Sequence, residues 1–541
     1  MCGILCLFQP ASTCTFYREL FNELKPCIDD RGPDLIQDLE IPLASGGTLS
    51  MHSSVLSLRP PLTGQPLTYE KIDGNHDVLQ FNGELYNDDI NGNDTSYLYN
   101  QIEKHDDKLE NVLEKIKGEL AFCFYQAEKK VLWFGRDCIG RRSLMYNHSS
   151  TTGELIIASA TDSRISERNG INLIEVPGGV LFKYHLDSKS LETIKWSYDT
   201  SVARLTFPYK QINSIYEDSR SPEEVSDFTQ QLYEKLQQAT KRRVIGIPQL
   251  PSNDTKDSKL AILFSGGIDC TLIAAFADEI LPINETIDLL NVAFDNPRIG
   301  GGYNTPDRKL GKRSWAELCK LHQKRYSTTH CTRFRFVEIN IPYEETLEHR
   351  PNVQGLIKPQ ESVMDLSIAI AFYFASRGKG SMYSDPDDLT SYTQENYTSH
   401  ARVLLSGLGA DELYGGYTRH TREFIERGPD SFAEELQLDF SRLHSRNLGR
   451  DDRACSTWGK ELRYPFLDED VVSWTMSNCP LDLKMSKRGD TIEGKSILRN
   501  IARNLGLSQV AEEKKRAIQF GAKSAKMELG SGKVKGTDVF R

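Results

Sequence analysis

A cysteine in second place offers a distinctive chemistry. Removal of Met1, which a small second residue permits, leaves Cys2 with both a thiol and a free α-amine. That amine titrates near pH ~8, so a single residue holds nucleophile and general base together. Taken alone, Cys2 reads more simply as a small buried residue on a first strand. Other segments add to the chemical reading. Phe81-Asn-Gly-Glu-Leu-Tyr-Asn87 sets Asn82 and Gly83 just after a strand, where a side-chain amide and a backbone N–H form an oxyanion hole. An isolated Asn-Gly is otherwise a hairpin turn. Asn93-Asp94-Thr95 stands at a helix start and by default caps it. Arg31-Gly-Pro-Asp34 is a compact turn.

A second chemistry sits in two glycine-rich turns. Ser265-Gly-Gly-Ile-Asp269 follows a strand and opens a helix, so its backbone N–H groups can cradle an anion. Asp269 would face the phosphates as a magnesium ligand. Strand-to-helix turns favour glycine for other reasons, and no Walker-type sequence is present. Leu405-Ser-Gly-Leu-Gly-Ala-Asp-Glu-Leu-Tyr-Gly-Gly-Tyr417 supplies a second turn, with Asp411 and Glu412. Two such turns, each bearing an acid, suit a magnesium–pyrophosphate site.

The elements that position these groups change character along the chain. Roughly the first two hundred residues are β-rich, with strands predicted at Val78–Phe81, Ala121–Gln126, Val131–Phe134, Leu155–Ser159 and Gly179–Tyr184. Helices are predicted at Tyr17–Lys25 and Ser96–Lys117, which makes a mixed α+β layer arrangement. A polar stretch near 199–222 reads as a linker, and Ser221-Pro-Glu-Glu224 caps a long helix to about Val244. A polar break at 248–257 leads into strand Leu260–Phe264 and helix Thr271–Ile280. Strands Leu289–Phe294, Phe334–Ile341 and Arg402–Leu405 and helix Ser362–Arg377 continue the alternation. That pattern implies a parallel α/β sheet with its site at the carboxyl ends of the strands. Residues 378–399 read as an exposed loop or insertion, and 530–541 as a frayed end.

Length and composition set limits. At 541 residues the chain exceeds one core. A net charge of −10 argues against a nucleic-acid surface built on bulk basicity, and no apolar run approaches a membrane span. The eleven cysteines show no zinc spacing and no C-x-x-C pair, which predicts reduced, mostly buried thiols. Cytoplasm or nucleus is the expected location.

Cys2-Gly-Ile, Arg31-Gly-Pro-Asp34, Asn82-Gly-Glu-Leu-Tyr-Asn87 and Gly135-Arg-Asp137 resemble the class II glutamine amidotransferase domain, in the same order and at similar intervals. The two glycine turns, Trp458–Asp468 and Gly494-Lys495 with Leu498-Arg499 resemble the synthetase domain of the asparagine synthetase family. The resemblance covers nearly the whole chain. It implies an α+β N-terminal-nucleophile sandwich over 2–205, a linker and leading helix over 206–256, and an α/β parallel-sheet ATP-pyrophosphatase domain over 257–541. It also implies roles. Cys2 would attack glutamine, Asn82 and Gly83 stabilise the oxyanion, and Asp94, with Arg59 and Glu84, bind glutamine. Leu263, Ser265, Gly266, Gly267, Asp269, Val292, Ser406, Gly407 and Lys495 would hold ATP, with Asp269 and Asp411 on Mg2+. The family reaction consumes glutamine, ATP and a carboxylate, aspartate by default, through an acyl-adenylate. Neither nucleic acid nor membrane is an expected partner, and a homodimer is left open.

Two departures matter. The arginine that grips the glutamine carboxylate is absent from Ser54-Val55-Leu56-Ser57, and Arg59 stands shortly beyond as its substitute. Leu408 occupies the position between two glycines where the family carries a glutamate with base-like work. These departures keep open a ligase for another carboxylate, or a regulatory or scaffolding homologue.

Overall fold

The computed structural model describes residues 1–11, 16–70, 76–105, 108–162, 170–201, 203–248, 257–488, 491–527 and 535–540. Strands β1 (Gly3–Gln9), β2 (Leu35–Pro42) and β3 (Thr48–Val55) begin a first sheet, and β4 (Leu67–Glu70), β5 (His76–Leu85), β6 (Gly118–Gln126) and β7 (Val131–Arg136) begin a second. The chain returns to the first sheet with β8 (Met145–His148), β9 (Leu155–Ala158) and β10 (Ile174–Glu175). It completes the second with β11 (Val180–His185), β12 (Ser190–Ser197) and β13 (Leu205–Thr206).

Alternation along β1 explains the layering. Ile4, Cys6 and Phe8 enter the core between the two sheets, together with Val78, Cys123 and Phe134 of the second. Leu5 and Leu7 point the other way, onto Leu20, Phe21 and Leu24 of helix Phe16–Asp29. On the far side, Leu79 and Phe81 meet Leu98 and Ile102 of helix Asp94–Lys104. The result is a helix–sheet–sheet–helix sandwich built from period-two strands buried on both faces. The helix expected over Ser96–Lys117 is two helices, Asp94–Lys104 and Leu109–Leu113, and residues 106–107 lie outside the described set.

The third sheet has the order β18-β17-β16-β15-β14-β19-β20. Its strands are β14 (Leu260–Leu263), β15 (Ile287–Phe294), β16 (Phe334–Ile341), β17 (Lys379–Tyr383), β18 (Gln394–Thr398), β19 (Val403–Leu405) and β20 (Glu461–Arg463). Five run parallel, from β16 through β20. The expected loop at 378–399 is corrected: β17 and β18 form an antiparallel hairpin that extends the edge beyond β16, so the sheet is mixed. The buried Tyr397 donates to Asp288 (2.7 Å), which ties this polar segment to the core. The tail is corrected in part. Residues 535–540 are pinned, with Val363 N donating to Asp538 O (2.9 Å) and Phe540 N to Glu361 O (2.9 Å), while 528–534 and 541 lie outside the described residues. So does most of the break at 248–257.

Helix Pro222–Val244 forms as expected, with a capping box in which the Ser221 hydroxyl accepts from Glu224 N. Residues before it run over the carboxyl-terminal half, where Asn213 N donates to Met476 O (2.8 Å) and Arg220 pairs with Asp482 (3.0 Å). The interface between the two halves is ionic and buried. Arg31 pairs with Asp452 (3.0 Å), Arg453 with Glu175 (2.6 Å) and Arg463 with Glu84 (3.0 Å). Arg243, fully buried, joins Glu119 (3.0 Å) to Asp468 (2.6 Å). Breaking such a buried pair strands a charge, so Arg243→Ala is expected to cost about 3–5 kcal/mol. Differential scanning calorimetry checks this, and a melting temperature unchanged from wild type would refute it.

Candidate functional site

Cys2 immediately precedes β1, half-buried at the wall of a cleft it shares with Leu56, Arg59, Gln65, Phe81, Gly83 and Asp94. Its carbonyl accepts from Arg31 Nε (3.2 Å), and the same guanidinium crosses to Ser456 (2.6 Å) and Asp452. The Arg31–Asp34 turn therefore fixes the start of the chain against the other half. Burial pushes the Cys2 thiol up to about 11, and it lowers the Met1 amine to about 5. Met1 itself is fully buried, its thioether 3.3 Å from Arg142.

Asn82 and Gly83 do not follow a strand; they lie inside β5, paired with Ala121 and Leu120 of β6. The glycine is required there, since a Cβ would lie 2.0 Å from the Glu119 carbonyl oxygen. Gly83 lines the cleft. Asn82 is fully buried, and neither its Nδ2 nor its Oδ1 has a hydrogen-bond partner. A buried amide left unsatisfied is costly; unlike Gly83, Asn82 is not among the residues lining the cleft.

Asn93 caps helix Asp94–Lys104, its side chain accepting from Thr95 N (2.9 Å). This places Asp94 at the first helical position with its carboxylate in the cleft, where Leu85 N donates to it (3.4 Å). Arg59 reaches Glu84 and donates to Leu85 O (2.9 Å), and Glu84 is held in turn by Arg463 (3.0 Å). The three glutamine-site candidates are thus brought together. Sequence reasoning missed Gln65, whose Oε1 accepts from Phe81 N (2.6 Å) while Nε2 stands 3.9 Å from the Cys2 sulfur. It also missed Glu461, which lines this cleft from the other half of the chain. No local signal marks Gln65, which β5 holds through Phe81 N; Glu461 lies within the Trp458–Asp468 block, but only the packing of β20 shows that it lines this cleft.

The second cluster lies at the carboxyl ends of β14 and β19, adjacent parallel strands. Each ends in a turn whose serine hydroxyl accepts from a backbone N–H two residues on: Ser265 from Gly267 (3.3 Å) and Ser406 from Leu408 (3.3 Å). Gly407 lets the turns touch, since a Cβ there would stand 2.7 Å from that of Asp269. Leu263, Ser265, Gly267, Asp269, Val292, Ser406, Gly407, Leu408 and Asp411 line one pocket. Gly266 does not: its carbonyl turns away to accept from the Ser314 hydroxyl (2.7 Å).

Lys495, buried in a left-handed conformation (φ 59°), bridges the turns, with Nζ 2.7 Å from Asp269 and also in contact with Asp411. Burial presses upward on the Asp411 carboxyl, yet Lys495 and Lys515 together hold it well below the usual range. Its neighbour Glu412 is raised to about 7 by burial and by the Asp411 charge. Asp307, missed as a pocket residue, is raised to about 7 by burial. Among the described residues no cluster of three or more His, Cys, Asp or Glu could hold a metal. Two carboxylates suffice for Mg2+ when phosphate oxygens and water complete its shell, so Asp269 and Asp411 fit that ion. Beyond Leu408 the pocket is lined by Ile368, Phe372, Asn447, Arg450 and Asp451. Arg450 is already paired with Asp451 (2.8 Å) and Asp365 (2.5 Å).

A cysteine-led sandwich bound to a mostly parallel sheet with paired glycine turns defines a class II glutamine amidotransferase domain joined to an asparagine synthase domain. Family comparison agrees: a glutamine amidotransferase domain matches residues 52–164, and asparagine synthase matches 360–430 and 425–533. An asparagine synthetase domain-containing protein of Saccharomyces cerevisiae is 38% identical over 98% of this chain and 93% of its own length. Asparagine synthetase domain-containing protein 1 of Homo sapiens is 31% identical over 98% and 96%, and asparagine synthetase B of Escherichia coli 23% over 90% and 77%. The chain belongs to the asparagine synthetase family. No helix among the described residues is long and apolar enough to cross a membrane.

Asp94 supplies a pH test of the cleft. Burial, then the nearby Glu84 charge, raises its carboxyl to about 7. An unfolded aspartate ionises near pH ~3.9, so its contribution to stability is full below that pH and is lost as pH rises toward 7. Asp94→Asn is expected to raise the melting temperature at pH 8 and leave it nearly unchanged at pH 4. Equal effects at both pH values would remove the case for a buried, protonated carboxyl.

Proposed function

We propose that this chain is a glutamine-hydrolysing, ATP-dependent amide synthetase. Cys2 hydrolyses glutamine and Asn82 with Gly83 receives the oxyanion. Asp94, Arg59 and Glu84 hold glutamine. An ATP-pyrophosphatase unit over 257–541 activates a carboxylate as its adenylate, and 206–256 joins it to an amidotransferase unit over 2–205. Leu263, Val292, Ser406 and Gly407 hold the adenosine part, the Ser265–Asp269 turn takes the phosphates, and Lys495 offsets charge during adenylation. Mg2+, held by Asp269 and Asp411, would supply charge neutralisation on the polyphosphate. The default reaction converts aspartate, glutamine and ATP to asparagine, glutamate, AMP and pyrophosphate.

One observation carries this reading: a single strand serves both clusters. Glu461 and Arg463 of β20 reach the Cys2 cleft, while the Arg463 carbonyl accepts from Ser406 N (3.0 Å) at the second pocket. A second reading, a different carboxylate acceptor, is favoured by the apolar wall of Leu408, Ile368 and Phe372 and by an Arg450 whose charge is already matched.

The test is pyrophosphate release with Mg2+ and ATP across a panel of carboxylates, with glutamine or ammonium as nitrogen donor. Cys2→Ala is expected to lower glutamine-supported turnover roughly 10³-fold or more and to leave ammonium-supported turnover intact. Asparagine formation supports the default acceptor, and turnover only with another carboxylate supports the second reading. If no acceptor elicits pyrophosphate, and glutamate release survives in Cys2→Ala, the proposal fails.

A further inference from the structure

The outer wall of the nucleotide pocket is built by a strap near the carboxyl terminus. Lys515, Arg516, Ala517, Ile518, Gln519 and Ala522 all line it. One end is tied down where Arg499 donates to the Glu513 carbonyl (3.0 Å). The other is held by Asn296, which donates to the carbonyls of Lys523 (2.9 Å) and Ala525 (2.9 Å), and by Phe294 N, which donates to Ala522 O (3.0 Å). Between these anchors residues 513–517 have no regular secondary structure and cross the mouth of the pocket.

Lys515 sits on that crossing, its side chain 35% exposed and its ammonium against Asp411. Lys495, by contrast, is buried and clamped between both acids. Two ammonium groups therefore match the two carboxylates proposed for Mg2+, and the charges balance. A divalent cation on those carboxylates would compete with both lysines, and a polyphosphate would offer them new acceptors. Of the two, Lys515 is the more exposed and stands on irregular backbone, its ammonium 5.8 Å from the Tyr417 ring centroid. A flexible ammonium is well suited to phosphate, and Arg516 beside it adds a second cation.

We propose that Lys515, supported by Arg516, is a phosphate-binding residue that trades Asp411 for the β- and γ-phosphates of bound nucleotide, closing the strap over them. The inference rests on the ATP reading of the pocket and assigns a contact beyond the two glycine turns. Isothermal titration calorimetry of the full chain with Mg2+ and ATP, pyrophosphate or AMP tests it. Lys515→Ala is expected to weaken ATP and pyrophosphate roughly tenfold or more and to leave AMP within about twofold. Lys515→Arg is expected to restore part of the loss, and Lys514→Ala, an exposed neighbour, to change nothing. Unchanged ATP affinity in Lys515→Ala, or equal weakening of AMP, overturns the inference alone. Failure of the wild-type chain to bind any of the three overturns the nucleotide reading and this inference with it.

Discussion

Arg463 is the constraint on which the rest depends. Its guanidinium meets Glu84 of the glutamine cleft (3.0 Å), Glu461 of its own strand (2.8 Å) and the Arg243 carbonyl of the long helix (2.8 Å). Its own carbonyl fixes the Ser406 turn. Buried ion pairs of this kind roughly break even against desolvation. Their contribution is therefore position more than net stability. The arginines at this interface are paired with acids and carbonyls from both halves, so a slide of one half over the other would strand several charges at once. The cleft and the pocket are held in register by that penalty.

The nucleotide pocket uses charge differently. At the interface each arginine meets partners that stay in place. At the glycine turns, Lys495 and Lys515 neutralise acids that the proposed chemistry needs for another purpose. Lys495 is locked by its left-handed backbone and by burial, whereas Lys515 hangs from an irregular strap. A buried cation and a more exposed one share the Asp411 carboxylate, and under the proposed exchange the first holds and the second closes.

Much of this was legible in the residues. Apolar runs bounded by turn signals marked β1, β6 and β7, and the Ser221 capping box placed the long helix to within a residue. The glycine turns announced themselves because a close approach such as that of Gly407 to Asp269 admits no side chain. Asn82-Gly83 was misread as following a strand because Asn-Gly has the signature of a turn, and only pairing with β6 keeps it extended. The hairpin of β17 and β18 was hidden by polar composition: it is an edge, and its stability comes from single contacts such as Tyr397 to Asp288. Gln65, and the place of Glu461 in the Cys2 cleft, were hidden for a deeper reason. Their roles follow from which surfaces meet, and sequence spacing carries no record of that.

Leu408 is the remaining departure, and the electrostatics of the Cys2 cleft bear on it. Without a base at that position a reaction typically loses about 10²–10⁴ in rate if its nucleophile arrives protonated. Collapse of a tetrahedral intermediate at Cys2 expels the nitrogen as NH3, and a low-dielectric path disfavours its protonation to ammonium. On the proposed reading, nitrogen released beside Cys2 leaves as neutral ammonia, already nucleophilic. A leucine then removes no necessary group; it puts an uncharged side chain in a pocket also lined by Ile368 and Phe372. Under the proposed reaction, the departure bears on which carboxylate is admitted, and much less on whether nitrogen can attack it.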